Sequence, residues 1–209
     1  MEYHIQTPLK RGDIEKLNAG DVVFISGDIL TARDEAHARI LEMGEKREKL
    51  PFCLQEAVIY HCGPLMQKIE KGWKVASAGP TTSGRMSKMT PRLLKSHDVR
   101  AIIGKGGMKG VASSLRNRCV YLAYTGGCAA LAAELIKEVK AVYWLDLGMP
   151  EAVWVLRVEG FGPLIVGIDA KERDIFAEVR EMAEKVFEVE KIKPALYEER
   201  KKFPERVKL

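Results

Sequence analysis

The 209-residue chain has no uncharged stretch longer than the 15 residues from Cys119 to Ala133, and that stretch holds two glycines. A bilayer span needs about 20 apolar residues, so no transmembrane helix is expected. The opening residues, Met-Glu-Tyr-His-Ile-Gln-Thr-Pro, have neither a basic start nor an apolar run. That excludes a secretory signal and leads to the expectation of a cytoplasmic protein. Cysteine is scarce as well: Cys53, Cys62, Cys119 and Cys128 stand 9, 57 and 9 residues apart, with no C-x-x-C pair and no histidine at ligand spacing. Neither a zinc site nor a local iron–sulfur motif is written here, and all four read as free thiols, mostly in the core. Only 2 Asn and 3 Gln accompany abundant Lys and Glu, the compositional bias of proteins from hot environments.

Charge of one sign does not dominate either. Lys and Arg number 34 against 29 Asp and Glu, a net +5, and residues 171–209 contribute 11 basic and 10 acidic groups, which leaves +4 in the body of the chain. So mild an excess is no nucleic-acid signature. It does suit a cleft in which a few Arg and Lys focus their field on a small anion.

What is present is a mixture of strand and helix patterns. Apolar, β-branched runs bounded by Gly or Pro occupy Asp21–Ser26, Ala57–His61, Trp73–Ala78, Val99–Gly104, Cys119–Tyr124, Ala141–Asp146, Val153–Glu159 and Leu164–Ile168, and predict strands. Helical patterns lie near Asp34–Met43, Pro91–Ser96, Gly110–Asn117 and Cys128–Val139, the second opened by Thr90 as N-cap and Pro91 at the first helical position. The order implies an α/β fold. The last three strands are joined by short turns, so part of the sheet is antiparallel or barrel-like, and a doubly wound dinucleotide fold is disfavoured. Residues 1–170 are expected to form one domain. From Lys171, Ile175, Val179, Met182, Val186 and Val189 recur at alternating steps of four and three, the apolar stripe of a helix expected to pack on that body. Tyr197 to Leu209 is mostly charged and reads as a loose tail or a partner-binding arm.

Three glycine-bearing segments follow strands and precede helices. Ser77-Ala-Gly-Pro-Thr-Thr-Ser-Gly-Arg-Met86 offers the hydroxyls of Thr81, Thr82 and Ser83, backbone N–H groups and the Arg85 guanidinium to one carboxylate or phosphate. Taken alone it is equally a turn rich in capping residues. Ile103-Gly-Lys-Gly-Gly-Met-Lys-Gly110 combines close backbone approach with the point charge of Lys105. Its Gly104-Lys-Gly-Gly107 also fits the G-x-x-G loop of KH nucleic-acid domains, although that loop joins two helices and here a strand precedes it. Gly27-Asp-Ile-Leu-Thr-Ala-Arg-Asp-Glu-Ala-His37 places Arg33, Asp34 and His37 at the start of a helix. An arginine there opposes the helix dipole unless an anion sits beside it. His37 reads equally as a helix-surface or supporting group and as a catalytic one. Three cations at three strand ends suit a small molecule with two carboxylates, and a non-catalytic anion- or RNA-binding domain is the alternative from another class.

These segments carry a family resemblance. Thr31-Ala-Arg-Asp-Glu-Ala-His37, Cys62-Gly-Pro64, Gly79-Pro-Thr-Thr-Ser-Gly-Arg-Met86, Ile103-Gly-Lys-Gly-Gly107, Gly126-Gly127 before an Ala-rich helix, and Leu147-Gly-Met-Pro-Glu-Ala-Val-Trp154 occur in that order. Together they resemble the β subunit, or C-terminal domain, of class I iron–sulfur hydro-lyases, fumarate hydratase and L(+)-tartrate dehydratase, over roughly residues 5 to 180. The resemblance implies a swivelling β/β/α domain and a partner α subunit whose cysteines hold a [4Fe-4S] cluster, with a site that closes only when the two chains meet. It implies a dicarboxylate substrate, fumarate and L-malate first and tartrate second. Arg33, Arg85 and Lys105 correspond to substrate-contacting positions, with Thr82 and Ser83 beside them, and Thr81 to the proton-transferring base. No metal ligand, nucleic acid or membrane is expected for this chain.

Overall fold

The computed structural model describes residues 1–189; the charged segment Tyr197 to Leu209 lies outside them. Along the chain run β1 (Glu2–Gln6), α1 (Arg11–Glu15), β2 (Val22–Thr31), α2 (Asp34–Glu45), β3 (Ala57–Tyr60), β4 (Leu65–Ile69), β5 (Gly72–Ser77), α3 (Thr90–Ser96), β6 (Val99–Gly104), α4 (Ala112–Leu115), β7 (Val120–Ala123), α5 (Ala129–Glu134), β8 (Ile136–Tyr143), β9 (Val153–Ile168) and α6 (Ile175–Val189). Short 3-10 turns occupy Ser83–Met86 and Leu145–Leu147. Met1–Ile175 form one compact unit and a second begins at Phe176. Of the apolar stripe on α6, Val179, Met182 and Val186 are exposed.

The first unit is an α/β fold around a closed barrel. β2, β3, β6 and β7 lie side by side and parallel, and β9 runs antiparallel to both β7 and β2, which joins the two ends of the sheet. β1 extends β2 and β8 extends β9, while β4 and β5 form a separate hairpin. Closure removes the open edges that a five-strand sheet would present. The interior is filled by side chains from alternate positions, among them Ile25, Ile29, Tyr60, Leu122, Trp154 and Phe161. Tyr60, Tyr124 and Phe161 meet with ring centroids 5.1–6.4 Å apart, and the buried Tyr60 hydroxyl donates to the Ala78 carbonyl at 2.6 Å.

β1, α1 and β4 add to the expected elements, and three expected features are changed. Val153–Glu159 and Leu164–Ile168 are one strand, because the Gly160-Phe-Gly-Pro163 bend stays paired with β2: a Cβ on Gly162 would meet the Val23 carbonyl oxygen at 2.7 Å, so only glycine permits the approach. The helix expected through Val139 ends at Glu134, and Ile136, Val139 and Val142 instead lie in β8 and pack on the core opposite β9. Long-range pairing has overridden local helix preference there. Finally, Thr90 is not the cap of α3. Met89 holds that position, and the Thr90 hydroxyl donates back to the Met86 carbonyl at 3.0 Å.

Candidate active site

Because β2, β3, β6 and β7 are parallel, their carboxyl ends share one rim of the barrel, the usual place for a ligand in parallel sheets. Arg33 follows β2, His61 follows β3 and Lys105 follows β6. After β3 the chain leaves through the β4–β5 hairpin and returns to be inserted between the ends of β3 and β6. The Thr81 N–H donates to the His61 carbonyl at 2.7 Å, the Lys105 N–H to the Thr81 carbonyl at 3.1 Å, and the Ser83 N–H to the Lys105 carbonyl at 3.1 Å. These bonds place Thr81, Thr82, Ser83 and Arg85 beside Lys105, as a short parallel bridge between Thr82 and Lys105 also records. A Cβ on Gly104 would stand 1.9 Å from Ser83 Oγ, so the insertion requires glycine at the end of β6.

Arg33 approaches from the other side. Its backbone is extended, and its carbonyl accepts the His37 N–H at 2.9 Å as the N-cap of α2. The guanidinium lies over Gly63, where a Cβ would come within 2.4 Å of Nη1. Its Nε is 3.2 Å from Glu151 Oε1, at ion-pair distance without hydrogen-bond alignment. Glu151 in turn accepts the Glu35 N–H at 3.0 Å, satisfying one of the free N–H groups at the start of α2. The hydroxyl of Thr31 donates to the Ala152 carbonyl and accepts from the Trp154 N–H, which fastens the end of β2 to the start of β9 and fixes Glu151 in place. Asp34 lies between the two arginines, 2.8 Å from Arg85 Nη2 and 4.0 Å from Arg33 Nη2. The same Arg85 Nη2 donates to Thr81 Oγ1 at 3.2 Å.

Of the expected site residues, Arg33, Thr81, Arg85 and Lys105 are thus drawn to one rim. Thr82 is exposed there. Ser83, expected among the substrate-holding hydroxyls, is fully buried, and its Oγ lies 2.8 Å from His61 Nδ1. The 3-10 turn at Ser83–Met86 turns that side chain inward, so its hydroxyl is used by the scaffold. His37 is neither a surface residue nor free for chemistry: it is fully buried, with Nδ1 2.8 Å from the Arg33 carbonyl. His37 and His61 meet edge to face with ring centroids 5.1 Å apart. Burial holds both imidazoles below their ordinary value of 6.5, His61 furthest, where His37 and Arg85 add repulsion. Asp34 enters the sequence reading only as a neighbour of Arg33, and His61 and Glu151 have no role in it; for Glu151 the available signal is the acid two positions beyond Met149 in the Leu147–Trp154 motif.

What this rim can do follows from its charges. Arg33 and Arg85 have Asp34 and Glu151 to satisfy them, and among the described residues Lys105 has no carboxylate at ion-pair distance. Three cations against two carboxylates leave capacity for a further anion, and guanidinium groups suit carboxylates because they can offer paired N–H donors. The side chains do not fit an iron–sulfur cluster. Burial pushes the Cys62 thiol up to about 12 and raises that of Cys119, which opposes the thiolate form a cluster needs. Among the described residues no group of three His, Cys, Asp or Glu side chains converges on one point.

Comparison with known proteins places these features in context. Residues 2–179 match the family described as Fumarase C-terminus. A Methanocaldococcus jannaschii protein named "Putative L(+)-tartrate dehydratase subunit beta" is 49% identical over 191 residues, 90% of this chain and 96% of that protein. The Escherichia coli K12 protein named L(+)-tartrate dehydratase subunit beta is 35% identical over 184 residues, 87% of this chain and 90% of its own length. A Geobacillus stearothermophilus protein named "Putative fumarate hydratase class I" is 40% identical over 164 residues, 77% of this chain and 31% of the longer protein.

Proposed function

The chain belongs to the Fumarase C-terminus family of hydro-lyase subunits, and from that premise we propose that it is a β subunit supplying the carboxylate-binding half of an active site shared with an α subunit. The reaction is the reversible hydration of fumarate to L-malate. The observation that carries this reading is the convergence of Arg33, Arg85, Lys105 and Thr81 on one rim, with one positive charge left over for an anionic substrate. Arg33 and Arg85 hold the two carboxylates, and Lys105 stabilises the negative charge that builds as the carbon-bound proton leaves. Thr81 is the proton-transferring residue. A threonine hydroxyl is a weak base, and the Arg85 guanidinium 3.2 Å from its oxygen favours the deprotonated form. The [4Fe-4S] cluster belongs to the α subunit, since the cysteines of this chain do not suit one, and neither subunit turns over alone.

A second reading, dehydration of L(+)-tartrate, is favoured by the names of the relatives that match near their full length. Tartrate differs from malate by one hydroxyl, whereas the residues assigned here address carboxylates, so both substrates share them. Anaerobic co-expression with a cysteine-bearing α subunit, followed by assay of fumarate from malate and oxaloacetate from tartrate, ranks the two. Malate turnover by the pair alone supports the first reading, preference for tartrate the second, and an intact complex inert to both acids overturns the function.

A further inference from the structure

The rim side chains rest on a buried polar layer that the reaction itself does not use. His37 Nδ1 faces the Arg33 carbonyl at 2.8 Å, and a carbonyl can only accept, so Nδ1 carries the proton. The Tyr121 hydroxyl donates to the Gly106 carbonyl at 2.7 Å, for the same reason in that direction only. Having donated its one proton there, the phenol oxygen can otherwise only accept. His61 Nδ1 lies 2.8 Å from the Ser83 hydroxyl, and its buried Nε2 has no acceptor among the described residues, so the proton sits on Nδ1 and the hydroxyl accepts it. Each histidine therefore has a bare Nε2, and both Nε2 atoms are buried with no hydrogen-bond partner among the described residues. That arrangement is self-consistent, because a buried N–H without an acceptor is the costlier orphan.

We propose that His37, His61, Ser83 and Tyr121 form a one-directional relay of positioning residues that locks the Arg33 arm, the Thr81–Arg85 loop and the Lys105 loop into one mutual geometry. In it His61 donates to Ser83 and Tyr121 donates to the Gly106 carbonyl, one residue past Lys105, and the inferred step is the donation from Ser83 to Tyr121 that joins them. His37 joins it through its edge-to-face contact with His61 and ties in the Arg33 carbonyl, which already serves as the N-cap acceptor of α2. His61 is further bound to the loop through its own carbonyl, which accepts the Thr81 N–H. The groups facing the pair are consistent with neutral rings: Arg85 repels a proton on His61, and the attraction of Asp34 for one on His37 is outweighed by burial. A relay of neutral rings holds loops that a charged one would loosen.

The test uses the full 209-residue chain and its complex with the α subunit, comparing wild type with Ser83→Ala and Tyr121→Phe. Nitrogen-15 NMR of the wild-type chain is expected to show His37 and His61 neutral at neutral pH, with the proton on Nδ1. Each variant is expected to leave the chain folded and to speed amide exchange at Thr81 and Lys105 by about tenfold. In the complex kcat then falls about tenfold while KM stays within about threefold, a split that a merely structural loss would not give. A proton on His61 Nε2, or exchange at Thr81 and Lys105 unchanged in both variants, overturns the relay. Only the kinetic arm rests on the function proposed above: a complex that turns over neither malate nor tartrate, with the NMR result as expected, sinks that function and leaves the relay standing.

Discussion

The two rims of the barrel both carry charged residues at strand ends, and they treat them in opposite ways. At the rim where β2 begins and β9 ends, Asp21 and Asp169 are buried and fully engaged. Asp21 accepts from the Met1 amine at 2.6 Å and the Asn18 N–H at 2.8 Å, and the amine holds its carboxyl below the usual range. Asp169 accepts the N–H groups of Ala19, Lys171 and Arg173 at 2.9–3.0 Å. At the opposite rim Arg33 and Arg85 share Asp34, Arg33 meets Glu151 out of alignment, and Lys105 faces no carboxylate among the described residues. Charge at a strand end does not by itself make a site. Hydrogen-bonding capacity left unused marks a candidate, and the contrast separates a rim whose carboxylates are fully engaged from the one proposed to take a substrate.

Substitutions should divide along the same line, and the largest effect is expected at Thr81. Thr81→Val keeps the shape and removes the hydroxyl, so kcat of the assembled enzyme should fall by about 10²–10⁴ if Thr81 moves the proton. Steady-state kinetics check this, and near-full kcat would return Thr81 to a merely orienting role. Asp169→Ala should act in the other direction. Leaving one buried and two part-buried N–H groups without an acceptor costs about 3 kcal/mol, or roughly 6–12 °C in Tm, with kcat per folded molecule unchanged. A calorimetric scan alongside an assay at low temperature separates the two quantities.

A further effect concerns acid. His37 and His61 are neutral when folded, with values held below 6.5, so as pH drops below that point the unfolded chain takes up protons first and stability falls. The slope approaches about 1.4 kcal/mol per pH unit for each histidine. Asp21 adds its own loss only at lower pH, as its carboxyl protonates in the unfolded chain before the folded one. Denaturant midpoints between neutral and mildly acidic pH test the histidine contribution, and His61→Phe should flatten that part of the curve. An unchanged slope in this variant would mean that the ring titrates freely.

Much of the candidate rim is legible in the sequence because it is built from local grammar. A strand, a glycine turn and a cation recur at Arg33, Arg85 and Lys105, and the ordered motifs gave the family. What was not legible depends on residues far apart in sequence. The closure of the barrel by β9 was hidden because Gly160-Phe-Gly-Pro163 has the composition of a turn, and only the approach of the Val23 carbonyl explains glycine there. The start of β8 was read as helix because Ile136 to Lys140 carries no strand signal until β9 lies beside it. Ser83 and His61 sit 22 residues apart, and nothing local indicates that one hydroxyl of three turns inward while its neighbours face out.

The most direct test of the contrast between the rims is kcat/KM for Arg85→Ala in the assembled enzyme, measured with its thermal midpoint. Arg85 is about half exposed, with a side-chain accessibility of 46%, and its guanidinium is assigned here to a substrate carboxylate. The account predicts a loss of about 10²–10³ in kcat/KM, with Tm within about 2 °C of wild type. Wild-type kcat/KM toward both malate and tartrate in that variant would contradict it.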